Sequence, residues 1–187
     1  MSNTSKKGGE SMVRLALSLF AITLVAALVL SALNSVTAPK IAENNMKVLQ
    51  ETMQEIIPGA DFEEISIDGA DPIITAAYKA TINGEDAGYC VQVTPSSYGG
   101  AITEIVGVAA DGTIAGAKVT STSDTPGLGT HAQDADWIAQ YVGMPADGSL
   151  AVEKDGGDVV SITGSTITSR AVTLGVNTAA TFVAGLA

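Results

Sequence analysis

Residues 74–95 read ITAAYKATINGEDAGYCVQVTP: two runs rich in β-branched and aromatic residues around Asn83-Gly84-Glu85-Asp86. Asn-Gly accepts the positive φ angles of a tight turn, so the stretch predicts a β-hairpin and an antiparallel sheet. A second hairpin follows by the same reading. AITEIVGVA (101–109) and TIAGAKVTSTS (113–123) flank Ala110-Asp111-Gly112. Cys90 alternates with Tyr89 and Val91 within a strand, which marks a packed thiol rather than a reactive one. As the only cysteine it has no partner for an internal disulfide.

Beyond the hairpins the period changes. AQDADWIAQYV (132–142) predicts a short helix with Trp137 and Tyr141 on one face. Residues 169–186 place Val172, Val176, Ala179 and Val183 at helical spacing, although Gly175 weakens that helix by about 1 kcal/mol relative to alanine. His131 has no second ligand at metal spacing beside it, and no metal site is expected. Strands followed by helices make the expected class α+β, an antiparallel sheet with flanking helices.

Upstream, Leu15 to Leu33 (LALSLFAITLVAALVLSAL) is uncharged over 19 residues. As a helix it would be roughly 28 Å long, close to the ~30 Å hydrocarbon core of a bilayer. A cleaved signal peptide competes, since Val36-Thr37-Ala38 offers small residues, but its apolar region is usually shorter and Pro39 follows at once. Lys6, Lys7 and Arg14 before the run, against Lys40 and Lys47 after it, predict a cytoplasmic N-terminus. Ile41, Val48, Met53, Ile56 and Ile57 then fit an amphipathic helix that Pro58-Gly59 stops. The expected organisation is a cytoplasmic N-terminus (1–14), a transmembrane helix (15–36), a connecting helix (37–60) and an extracytoplasmic domain (61–187). A pilin-like filament protein would share this outline. Such a chain carries a glutamate inside the apolar run, whereas Glu10 lies before it.

The net charge of −11, with nine scattered Lys and Arg residues, excludes nucleic acid as a partner. The carboxylates read as a solvated surface.

Near the end stands ITGSTITS (162–169), rich in hydroxyls, where a strand is expected to pass into the last helix. The first turn of a helix leaves N–H groups unpaired and partly positive, which suits a phosphate. Gly164 permits close approach, and Thr168 or Ser169 is placed to cap the helix. A plain capping turn explains the same residue types, and Thr166 is then one hydroxyl among several. SYGG (97–100) and DTPGLGT (124–130) are two further glycine turns, the second free of bulk and able to lie against a planar ligand.

Taken in order, the basic N-terminus, the single span, the VTAPKIAEN exit, the YGG turn, the DGTI hairpin, the TPGLG turn and the TGSTITSRAV terminus are similar to one family. They resemble the FMN-binding G subunit of Rnf-type complexes, ion-translocating ferredoxin:NAD oxidoreductases of bacterial membranes. The resemblance runs from about residue 13 to 184. It implies a membrane-anchored electron carrier whose FMN is attached through a phosphoester to Thr166, within Thr163-Gly164-Ser165-Thr166-Ile167-Thr168. Ser165 stands where alanine is usual. Val160 stands where the family often has an aspartate read by the flavin transferase, and Asp158 is the nearest acid. Thr125, Pro126, Gly127 and Leu128, preceded by Asp124 where glutamate is usual, are implied flavin contacts, as is Tyr98. The implied partners are the other members of the complex, the flavin transferase and the membrane; no catalytic residue is implied. The flavin-carrying component of a sodium-pumping quinone reductase, a longer chain sharing the motif, and a stand-alone extracellular flavin carrier are the rival readings within redox chemistry.

Overall fold

The computed structural model describes residues 4–186, with side chains from Met12 onward. The bases Lys6 and Lys7 therefore lie outside the described side chains.

Helix α1 runs from Thr4 to Ile56 and carries Pro39 in its interior. The expected spanning segment, 15–36, and the connecting segment, 37–60, as far as Ile56, are thus parts of one helix, and residues 57–60 lie beyond its end. A proline removes one backbone hydrogen bond, and the helix continues through it here. The chain divides into two compact units, Met1–Lys47 and Val48–Ala187. In the first, Leu15, Leu19, Val25, Leu30 and Leu33 are all exposed. That helix is long and apolar enough to cross a membrane, and its character is that of a single-pass anchor.

The second unit is built on five strands in the order β1-β2-β3-β4-β5, each antiparallel to its neighbour. They are β1 (Asp61–Ile65), β2 (Ile74–Ile82), β3 (Glu85–Val93), β4 (Thr103–Ala109) and β5 (Ile114–Ser121). The first hairpin closes more tightly than expected. Only Asn83 (φ 54°) and Gly84 (φ 84°) form its turn, and Glu85 and Asp86 already pair with Ile82 and Thr81. Strand β1 (DFEEI) has no counterpart in the sequence reading. It is an edge strand whose glutamates face solvent, so it needs no apolar alternation.

Both faces of the sheet are covered. On one, Leu49 and Met53 from the end of α1 and Ile57 just after it pack with Tyr78, Cys90 and Ile105. Burial pushes the Cys90 thiol up to about 12, so it stays a neutral core group. Ile56 rests on the cross-strand pair Gly107 and Gly116, where a Cβ on Gly107 would overlap its methyl group. On the other face, Val91, Val106, Val108 and Val119 meet helix α3 (Thr166–Ala184) through Val172, Val176 and Ala179. Helix α2 (Ala135–Ile138) is shorter than expected and is flanked by 3-10 turns at Gly129–Gln133 and Ala139–Tyr141. Trp137 and Tyr141 share its face, in edge contact at 5.9 Å between centroids.

Two carboxylates contradict the expectation of a solvated surface. Asp124 is buried at the site described below. Glu104, on the α3 face of β4, is 0 % exposed, and among the described residues neither of its oxygens has a hydrogen-bond partner. It lies against Gly175, where a Cβ would come within 2.9 Å of Oε2. Gly175 thus costs helix propensity and provides room for a carboxyl group. Burial raises the Glu104 carboxyl well above the ordinary range, which favours its neutral form.

Candidate functional site

The site forms where three glycine-containing turns converge on the start of α3. A cavity of about 420 Å³ is lined by Tyr98, Asp124, Thr125, Leu128, Gly129 and residues 164–168. This lies within the range of small-ligand pockets.

Asp124 ties the three segments together. Its Oδ2 accepts hydrogen bonds from Ser97 Oγ (2.6 Å) and Thr168 Oγ1 (2.7 Å). Its Oδ1 accepts one from the Gly99 amide (2.5 Å). Burial acts to raise this carboxyl, but the donations from Ser97, Thr168 and Gly99 together outweigh it and hold Asp124 below the ordinary carboxylate range. Gly129 is required beside it, since a Cβ there would lie 2.5 Å from Asp124 Cβ and 2.8 Å from Thr168 Oγ1.

Helix α3 begins at Thr166, three residues earlier than the sequence periodicity predicts, and the cap is Ser165. Thr168 and Ser169 are therefore helical and not caps: Thr168 donates to Asp124, and Ser169 Oγ donates to the Ser165 carbonyl (3.2 Å). Ser165 makes no side-chain cap hydrogen bond, which leaves the first-turn amides uncovered by any cap. No strand leads into this helix. Residues 157–164 are irregular, joined to the rest by a single bridge between Val152 and Val159. They are fixed instead by side chains: Trp137 Nε1 donates to the Val160 carbonyl (2.8 Å), the Val160 amide to Gln140 Oε1 (2.7 Å), and the Ile162 amide to Ser169 Oγ (2.9 Å). Gly164, at φ 78°, then turns the chain into α3.

Of the residues singled out from the sequence, Thr166, Gly164, Ser165, Thr168, Thr125, Leu128 and Tyr98 line this cavity. Thr163, Pro126 and Gly127 do not; all three are exposed. Asp124, Gly129 and Ile167 also line the cavity; they belong to the same two motifs but are not among the contacts expected from the sequence. Lys154 does not line the cavity but reaches its edge: from the 3-10 turn Glu153–Asp155 its Nζ donates to Thr166 Oγ1 at 2.7 Å. Its signal in the sequence is weak, a lone lysine shortly before two glycines. His131 pairs with Asp134 (2.6 Å). Among the described residues no group of three His, Cys, Asp or Glu side chains is placed to hold a metal.

Chemically, the site offers uncapped helix amides, one ammonium group, a hydroxyl on Thr166 and an apolar rim. Tyr98 (75 % exposed) and Leu128 (45 % exposed) are the large side chains of that rim. Such a set matches a phosphate joined to a flat aromatic ring.

Two family profiles match the chain: the RnfG N-terminal region over residues 1–56 and the FMN-binding domain over residues 97–181. The G subunit of the Na(+)-translocating ferredoxin:NAD(+) oxidoreductase complex of Acetobacterium woodii is 37 % identical over 182 residues, spanning 88 % of this chain and 87 % of that protein. The G subunit of the ion-translocating oxidoreductase complex of Pseudomonas aeruginosa is 31 % identical over 187 residues, spanning 91 % and 87 %. Among solved structures, NqrC of Shewanella oneidensis superposes with a TM-score of 0.51 at 23 % identity, over 59 % of this chain and 60 % of that one, a likeness of fold. The chain belongs to the family of G subunits of Rnf-type ion-translocating oxidoreductase complexes, and residues 97–181 are its FMN-binding domain.

Proposed function

We propose that the chain is the membrane-anchored flavoprotein that relays electrons within an ion-translocating ferredoxin:NAD oxidoreductase complex, with FMN attached covalently to Thr166. The observation that carries this reading is the Thr166 hydroxyl, on the cavity wall at the uncapped start of α3. The names of the Acetobacterium and Pseudomonas relatives support the assignment to a multi-subunit complex. Bound FMN supplies the redox chemistry, accepting and passing electrons singly or in pairs. The chain's own residues do the rest. The first-turn amides of Thr166 to Thr168 would hold the phosphate, Tyr98 and Leu128 would lie against the ring, and Asp124 keeps the three turns in register.

Covalent attachment suits a domain that faces away from the cytoplasm. Occupancy of a noncovalent site follows free ligand concentration, and an exported domain has no assured flavin supply. In this reading residues 1–14 are cytoplasmic, 15–36 cross the membrane, and the domain is extracytoplasmic. Protease added outside intact cells is then expected to digest residues 61–187; their protection would reverse the topology. A flavin transferase is required for maturation. Val160, where the family often has an acid, is 56 % exposed and its backbone is held by Trp137 and Gln140, so the transferase would meet a surface without charge at that point.

Co-expression with a flavin transferase is expected to yield a band that fluoresces on a denaturing gel, with all fluorescence lost in Thr166→Ala. A dark wild-type band, or fluorescence that survives Thr166→Ala, would overturn the reading.

A further inference from the structure

We propose that Lys154 is the counter-ion of the phosphate carried by Thr166, and this rests on the covalent-FMN reading above. A flavin phosphate esterified to a threonine is a phosphodiester, with one negative charge in a chain whose net charge is already −11. Helix amides supply only partial positive charge, and that falls off within the first turn. A full charge at contact distance is a stronger partner.

Two cations come close to the start of α3, and the geometry separates their roles. Arg170, one turn along the helix, is held in a fork by Asp155: Nε donates to Oδ2 at 2.7 Å and Nη2 to Oδ1 at 2.6 Å. That pairing keeps the Asp155 carboxyl below the ordinary range, and it commits both charges to each other. Lys154, adjacent to Asp155 in the same turn, points its ammonium at Thr166 Oγ1, 2.7 Å away. The oxygen it meets is the one that would bridge to phosphorus.

The turn that carries Lys154 is fixed independently of any ligand. Val152 before it is buried, the Glu153 amide donates to the Val159 carbonyl (2.8 Å), and the Gly157 amide donates to the Val152 carbonyl (3.1 Å). Gly157 is closed against the backbone of Ala151, with no room for a Cβ. Residues 151–159 therefore form a braced loop whose one outward cation faces Thr166. Because Lys154 itself is exposed, its replacement leaves the core untouched.

The test uses full-length protein matured with a flavin transferase, as wild type, Lys154→Met and Lys154→Arg, each confirmed by intact mass to carry flavin. The rate at which an added phosphodiesterase releases flavin, timed by loss of gel fluorescence, is expected to change roughly tenfold in Lys154→Met, the loss of one charge-assisted contact at the scissile ester oxygen. Lys154→Arg, which keeps the charge, is expected to remain within about twofold of wild type. The phosphorus-31 resonance of the phosphodiester is expected to move in Lys154→Met. Equal release rates with superimposable resonances in Lys154→Met would overturn the role of Lys154 while leaving flavin attachment intact. Lys154→Arg behaving as Lys154→Met would overturn it too, because charge would then not be the operative property. A wild-type protein without flavin would overturn the covalent reading and this inference together.

Discussion

Asp124→Ala is expected to lower the stability of the domain by about 2–4 kcal/mol and to abolish stable flavin loading. The carboxylate accepts three hydrogen bonds from two other segments, from Ser97, Gly99 and Thr168. Hydrogen bonds to a charged group contribute about 1.5–3 kcal/mol each, and part of that is recovered when exposed donors return to water. Gly99 is exposed and Ser97 half-buried, but Thr168 is 2 % exposed and has no water to turn to. Functional loss exceeds the loss in stability, since the glycine turns at 97–100 and 124–130 would no longer be held to α3. Asp124→Asn keeps the shape and is expected to lie between the two. Urea unfolding of the matured protein, with flavin content by absorbance, reads both effects. The pH dependence has a definite sign. Because its folded pKa is depressed, Asp124 contributes stability above its unfolded value of about 3.9, and that contribution is lost as pH falls through the folded value.

The second large effect has the opposite sign in every respect. Glu104→Leu is expected to stabilise the domain at pH 7 by about 1–4 kcal/mol, because a buried carboxyl without partners is replaced by an apolar side chain of similar volume. Below the ordinary value of 4.5 both states of the wild type are protonated and this penalty from ionisation is absent. As pH rises above it, the unfolded chain releases a proton that the folded chain retains, and stability falls by about 1.4 kcal/mol per pH unit until the folded carboxyl itself ionises. The Leu variant is expected to lack that slope. Unfolding midpoints measured from pH 4 to 8 on both proteins decide it; parallel curves would mean that Glu104 is already ionised in the fold. Gly175 provides an internal control. Gly175→Ala is expected to destabilise the wild type, since the new methyl would meet Glu104 at 2.9–3.0 Å. In a Glu104→Ala background the same change is expected to stabilise by up to about 1 kcal/mol, through helix propensity alone.

These two residues also show where sequence reading stops. The hairpins are legible because Asn83-Gly84 and Asp111-Gly112 are turn chemistry, and the β-branched and aromatic runs of β2 to β5 are local information. Glu104 is illegible for the same reason. A glutamate within TEIVGVA looks like an outward residue on a half-exposed strand, and only the second helix layer, with its gap at Gly175, places it in the core. Strand β1 leaves no apolar signature because an edge strand can be acidic. Periodicity starts α3 too late because Thr166, Thr168 and Ser169 are poor helix formers on propensity alone, while the hydroxyls of Thr168 and Ser169 are satisfied by Asp124 and by the preceding turn. At the site, motif spacing draws attention to the two glycine turns and the TGST segment, and most of the residues so marked do converge on one cavity. Lys154 lies 12 positions from Thr166 and belongs to no motif; its proximity is a product of the bridge between Val152 and Val159.

Tandem mass spectrometry of the tryptic peptide from Asp155 to Arg170 tests the central claim most directly, because this one fragment holds Ser161, Thr163, Ser165, Thr166, Thr168 and Ser169 together. Protein matured with a flavin transferase is expected to give the peptide with one flavin phosphate, its fragment ions locating the added mass on Thr166. An unmodified peptide, or an adduct located on any other of these hydroxyls, would contradict the assignment.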